Sequence, residues 1–195
     1  MQINTIAIVG ANATGQAFAR TSALAGYATI LEDVSREMLE RGIASIQLSL
    51  EAAVARGEIR PPERADALAR ILSVVGVENA IRDGDLLIEA LPEELEMKLE
   101  MFTIFDKFAK PGTIFASTTQ TLSILDLSDV TVYRERCIGM RFRANQPGPS
   151  SIELVCTKLT SNEAIRACRE VAERWSKEVQ MVADMVSALP ENLSI

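Results

Sequence analysis

The sequence predicts an α/β fold, a doubly wound and mostly parallel sheet in a single domain, on three observations. Short, nearly all-apolar runs such as residues 5–9 and 86–90 have the composition of strands buried on both faces of a parallel sheet. Between them lie longer stretches whose apolar residues recur every three or four positions, the period of a helix with one buried face. The two kinds alternate with short connections, which is the order a doubly wound sheet requires.

The first strand, residues 5–9, is closed by Gly10. Residues 13–25 read as a helix, with Gly26 placed as its C-terminal stop. Residues 28–31 form the second strand. Ser35 caps a long helix reaching about Arg56, with Met38, Leu39, Ile43, Ile46, Leu50 and Val54 at helical spacing. Gly57 ends it and Pro61-Pro62 cannot continue it. A shorter helix over 63–69 then folds back as an antiparallel helical hairpin, an insertion in the fold. Strands are expected at 72–75, 86–90 and 113–117, with a strongly periodic helix over 93–110 between the last two. Strands at 136–142, 152–156 and 178–182, with a helix over 161–177, complete a unit expected to span residues 1–185. Residues 186–195 are expected to be a C-terminal tail.

Composition narrows the function classes. A length of 195 residues suits one α/β domain with a full core. Only 5% of residues are aromatic and the net charge is −7, so no basic, base-stacking surface for nucleic acid is expected. No apolar run approaches the roughly 20 residues of a membrane span. The first ten residues lack the basic and cleavage-site features of a signal peptide. With three cysteines (Cys137, Cys156 and Cys168) expected to be reduced, buried hydrophobes, a cytoplasmic location follows as an expectation. No metal-ligand spacing is present. There is no histidine at all, which excludes Ser-His-Asp and Cys-His catalysis, His-ligated zinc and a histidine general base for the chain acting alone.

Gly10-Ala11-Asn12-Ala13-Thr14-Gly15 occupies the strand-to-helix turn where the dinucleotide fingerprint G-x-G-x-x-G belongs. Gly10 permits the tight turn and Gly15 lets the helix pack close to the sheet; the pyrophosphate then rests on the helix N-terminus. The middle glycine is replaced by Asn12. Asparagine tolerates positive φ better than other side chains, so the turn is expected to survive, while the side chain either crowds the pyrophosphate or hydrogen-bonds in its place. Asp33 follows at the end of the second strand, near the roughly 20-residue spacing of an acid that binds the ribose diol. An acid there repels a 2′-phosphate, which favours NAD over NADP. The alternative is a plain strand–turn–helix without a ligand.

Five further stretches in constant order carry a family resemblance. They are Leu31-Glu-Asp-Val-Ser35, the segment from Leu86 to Lys98, the segment from Ile114 to Ile124, Cys137-Ile-Gly-Met-Arg-Phe142, and Ile152-Glu-Leu-Val155. Together these resemble the N-terminal, NAD(H)-binding Rossmann domain of L-3-hydroxyacyl-CoA dehydrogenases, from about residue 3 to 185. The resemblance implies NAD contacts by residues 10–15, Asp33, Ala90, Glu93 and Lys98. Without it, Glu93 reads as a helix-start acid complementing the dipole and Lys98 as a solvated charge. The hairpin resembles the family's acyl-CoA-contacting element, with Ser49 and Arg56 at contact positions or, alternatively, as ordinary surface residues.

The chemical positions depart from the family. Its catalytic histidine, which takes the proton from the 3-hydroxyl as hydride leaves, falls on Arg141; its orienting glutamate is kept as Glu153. The substrate-holding serine falls on Gln120 and the asparagine after the histidine on Ala144. A guanidinium with a pKa above about 12 is no base near neutral pH. Arg141 is expected either to pair with Glu153 or to anchor a carboxylate or phosphate. The resemblance further implies a following helical domain, expected to be lacking here and replaced by a separately encoded partner, or an open cleft; homo-oligomerisation is a further expectation. Three functions remain open. They are a catalytically silent NAD- or acyl-CoA-binding module, an active oxidoreductase using Glu153 or Tyr133 on another substrate, and a structural homologue without nucleotide.

Overall fold

Strand β1 (Thr5–Val9) lies between β2 (Ala28–Glu32) and β4 (Leu86–Glu89), and all three run parallel. The computed structural model describes residues 1–143 and 151–184, which build an eight-stranded sheet. Its order is β3-β2-β1-β4-β5-β6-β7-β8, completed by β3 (Ile71–Val74), β5 (Ile114–Ser117), β6 (Cys137–Arg143), β7 (Ser151–Cys156) and β8 (Glu178–Ala183). Only β6 and β7 pair antiparallel. The expected doubly wound sheet is therefore the observed one, and the reversal of strand order beside β1 opens a crevice at the C-terminal strand ends, where ligands of such sheets bind.

Alternation in β1 shows how the core divides. Ile6 and Ile8 enter a cluster with Phe18, Leu39, Ile46 and Leu50 on one face; Ala7 and Val9 join Phe102 and Phe105 on the other. The first face is covered by α1 (Ala13–Leu24), α2 (Arg36–Ala55), α3 (Pro61–Ala69) and α7 (Asn162–Arg174), the second by α4 (Val77–Ile81), α5 (Leu95–Phe108) and α6 (Ile124–Ser128). Helices α2 and α3 form the expected hairpin and both contact α1. Ser35 caps α2 by accepting from the Met38 amide.

Two α-helices and a 3-10 turn at Arg134–Arg136 were not expected. Helices α4 and α6 are five residues each, too short to show a helical period. Helix α5 also starts at Leu95 rather than at Glu93. Phe142 stacks on Phe18 with ring centroids 4.3 Å apart and leans on Trp175, which ties β6 to α1 and the end of α7. Because neighbours in a strand alternate, anchoring Phe142 on that face turns Arg141 to the other. No helix among the described residues is long and apolar enough to cross a membrane. The three cysteines are buried, and desolvation pushes their thiols well above the usual range, Cys137 and Cys156 to about 12.

Candidate functional site

The loop after β1 needs both glycines. Gly10 has φ +107°, and a Cβ there would lie 2.8 Å from the Ala90 carbonyl oxygen. A Cβ on Gly15 would lie 1.8 Å from the Gly10 carbonyl oxygen, so any side chain would push α1 off the sheet. Asn12 corrects the sequence expectation. Its φ is −73° with ψ −179°, ordinary extended backbone, so no tolerance of positive φ is called on. Its Oδ1 accepts from the Thr14 and Gly15 amides as an N-cap, and its Nδ2 donates to the Ala90 carbonyl. The side chain lies tucked along the helix start, and the exposed Ala13 and Thr14 form the rim. Among the described residues the Asn12 and Ala13 amides make no hydrogen bond. Those two donors at a helix N-terminus suit a pyrophosphate. Asp33 accepts from the Ala11 amide at 3.0 Å and the Ser35 amide at 2.9 Å, joining the glycine loop to the end of β2. Each carboxylate oxygen keeps lone-pair capacity for a ribose hydroxyl. The loop and acid therefore fit a dinucleotide.

Beside Asp33 stands a carboxyl that sequence reasoning missed. Glu32 is 1% exposed, and its Oε1 has no hydrogen-bond partner among the described residues. Desolvation first, and the charge of Asp33 second, push it up to about 7 despite the Gly76 amide.

At the ends of β4 and β5 a buried ionic cluster joins three elements. Lys98 and Glu89 are both fully buried, with Nζ 2.7 Å from Oε1. Lys98 also donates to the Leu91 carbonyl, while Glu89 accepts from the Leu91 amide and, at 2.6 Å, from the Ser117 hydroxyl. The reading of Lys98 as a solvated charge is thus overturned; α5 carries it inward beneath the loop. The reading of Glu93 as a helix-start acid fails too, because one of its oxygens accepts from the Thr119 and Thr121 hydroxyls and the Gln120 and Thr121 amides. Partial burial works to raise its pKa, but those four donors prevail and hold it down at about 2. Its Oε2 lies 3.8 Å from Lys98 Nζ.

The row continues onto β6 and β7. Arg141 and Glu153 are register partners, with Nε 2.6 Å from Oε2, and they are 19% and 7% exposed. Arg141 Nη1 donates to the Gln120 carbonyl at 3.0 Å and the Thr119 carbonyl at 3.3 Å. Arg143, unremarked in the sequence, reaches the other Glu153 oxygen at 2.9 Å. The signal was available: residues 141 and 143 share a strand face at a period of two. Glu89 likewise announced itself as a lone charge inside an apolar run. Gln120, Arg141 and Glu153 thus lie together, while Ala144 falls outside the described residues.

The hairpin residues stand apart from this row. Ser49 accepts from Arg20 at 3.1 Å, and Arg56 is held by both oxygens of Glu58. Between α2 and β3 runs an open groove of about 590 Å³, lined by Arg36, Leu39, Ile43 and Val74 among others.

Comparisons with known proteins agree with the fold. A family model described as "3-hydroxyacyl-CoA dehydrogenase, NAD binding domain" matches residues 5–185. The chain is 31% identical over 182 residues to a 3-hydroxybutyryl-CoA dehydrogenase of Bradyrhizobium diazoefficiens, covering 93% of this chain and 62% of that protein. It is 27% identical over 180 residues to the mitochondrial hydroxyacyl-coenzyme A dehydrogenase of Sus scrofa, covering 90% of this chain and 57% of the relative. The chain thus spans less than two thirds of either protein. Among solved structures, an (S)-3-hydroxybutyryl-CoA dehydrogenase from Ralstonia eutropha superposes with a TM-score of 0.90 at 26% identity, covering 98% of this chain and 68% of that one.

Proposed function

The chain belongs to the family of 3-hydroxyacyl-CoA dehydrogenase NAD-binding domains, and from that premise we propose that it holds NAD(H) at a site impaired or silent for the family's 3-hydroxyl oxidation. The amides of Asn12 and Ala13 receive the pyrophosphate, and Asp33 receives the ribose diol. Ala90 closes the floor of the loop. Glu93, steadied by Lys98, fixes the Thr119–Gln120–Thr121 segment against the nicotinamide end. Bound there, NAD supplies a hydride acceptor.

One observation carries the silence. At the position where a proton must be removed stands Arg141, a guanidinium that stays charged near neutral pH and is tied to Glu153 and two carbonyls. Gln120 in place of a short hydroxyl side chain removes further substrate positioning. The reading of an active oxidoreductase with Glu153 as base is disfavoured, because that carboxylate already carries two guanidinium groups. Tyr133 is 48% exposed and lies under the Arg136 guanidinium, away from this row of contacts. Acyl-CoA contact at Ser49 and Arg56 is a second reading of the hairpin, beside that of ordinary surface residues held by Arg20 and Glu58.

Stopped-flow or steady-state assays with acetoacetyl-CoA and NADH test the proposal, alongside a calorimetric titration of NADH. We expect NADH to bind and turnover to stay at background. Turnover of about one per second, within the ordinary enzyme range, would overturn the silent reading. Arg141→His alone should not restore activity, since Gln120 still displaces the substrate.

A further inference from the structure

The row of charges across the C-terminal strand ends is polarised. Glu89, Glu93 and Lys98 sum to −1, whereas Arg141, Arg143 and Glu153 sum to +1. At the positive end every oxygen of Glu153 already faces a guanidinium. Arg141 Nε takes Oε2 and its Nη1 is committed to the Thr119 and Gln120 carbonyls, so Nη2 is its remaining donor group among the described residues. Arg143 is 53% exposed, forms an ion pair through Nε, and makes no hydrogen bond among the described residues. A half-covered positive charge with unspent planar donors is an anion receptor.

We propose that Arg141 and Arg143 together receive the free carboxylate of a small oxo- or hydroxy-acid. The location beside the nicotinamide rests on the function proposed above; the charge excess does not. An excess of one positive charge matches a carboxylate. A phosphate monoester carries about −1.5 to −2 near neutral pH and would leave uncompensated negative charge against Glu153. A thioester brings no charge at all, so the receptor selects acids over the thioester end of an acyl-CoA. The polarity is consistent with this assignment: the negative end suits the cationic ring of NAD and the positive end suits an anion.

The test is a calorimetric titration of lactate, lactamide and inorganic phosphate into the protein saturated with NADH, and into the free protein. Lactate, a hydroxy-acid with one carboxylate, should bind, lactamide should not, and phosphate should bind several-fold more weakly than lactate. Arg141→Met and Arg143→Met should each lower lactate affinity on the order of tenfold or more, and Glu153→Gln should raise it. Each methionine variant leaves Glu153 one guanidinium, so the fold is retained, and thermal unfolding checks that. Equal binding of lactate and lactamide, phosphate binding as tightly as lactate, or unchanged lactate affinity in both methionine variants would each overturn the receptor. If NADH fails to bind, the cofactor reading falls, while lactate titrated into the free protein and its variants still decides the receptor by the same outcomes.

Discussion

Arg141 on β6 and Glu153 on β7 face each other as direct cross-strand partners at 2.6 Å, and Arg143 shares the same carboxylate at 2.9 Å. The third member changes the energetics. Removing one partner of an isolated buried pair costs about 3–5 kcal/mol because the other charge is stranded, whereas exposed pairs contribute about 1 kcal/mol or less. Here Arg141→Ala leaves Glu153 with Arg143.

We therefore expect Arg141→Ala to cost only about 1–2 kcal/mol, between those limits. The double variant Arg141→Ala/Arg143→Ala should cost about 3–5 kcal/mol, more than the sum of its parts. Urea denaturation of the three variants measures this, and additivity would show that the two arginines act independently.

Lys98 has no such substitute. With both side chains fully buried, Lys98→Met strands Glu89 and should cost about 3–5 kcal/mol. Adding Glu89→Gln should recover part of that loss, because a neutral amide no longer needs a countercharge. A double variant as unstable as the single one would mean that volume, not charge, sets the cost.

Glu32 should impose a pH dependence. Its carboxyl titrates at about 7 in the fold against 4.5 when unfolded, so the folded state binds the extra proton between those values. Its contribution is complete below pH 4.5 and is lost as pH rises through 7, in total about 3 kcal/mol. Glu32→Gln should flatten that decline and leave the variant more stable than the parent above pH 7. Parallel stability–pH curves for parent and variant would refute it.

Asn12 is predicted to trade affinity for stability. Asn12→Ala removes the cap and should cost about 1 kcal/mol, and Asn12→Gly only a few tenths. Asn12→Gly also frees the Thr14 and Gly15 amides, so NADH should bind more tightly. Weaker binding would place the Asn12 side chain among the phosphate ligands instead.

Asp33 should discriminate between cofactors. A 2′-phosphate beside this carboxylate costs several kcal/mol of like-charge repulsion, so NADPH should bind on the order of a hundredfold or more weaker than NADH at low salt. Asp33→Asn should narrow the gap. Equal affinities in the parent would remove Asp33 from the ribose site.

The order of strands and long helices was legible because buried parallel strands and amphipathic helices leave different periods in the chain. Ser35 and Gly26 marked helix ends through chemistry that acts within a few residues. Helices α4 and α6 left no period to read. The errors at the site share one cause. Whether Lys98 is solvated or buried, and whether Glu93 serves a helix or a loop, depends on partners at Glu89 and at 119–121 that are distant in sequence. The Arg141–Glu153 pairing, one of two alternatives, was readable because the resemblance places both residues at positions that the family pairs; the role of Arg143 required knowing how much of Glu153 remained unclaimed.

The four donors gathered on one oxygen of Glu93 have a consequence for how the protein opens. Gln120 and Thr121 are exposed residues just beyond the end of β5, where backbone amides ordinarily exchange with solvent deuterium quickly. With both amides held by that carboxylate, exchange there should require the breaking of the Glu93 contacts, together with the hydroxyl bonds of Thr119 and Thr121. These two amides should thus be protected far beyond what their exposure implies, and their protection, measured against the free-peptide rate at the same pH, should fall as acid protonates Glu93. The segment nearest the proposed chemistry would then report the ionisation of a single side chain through the lifetime of its own backbone protons.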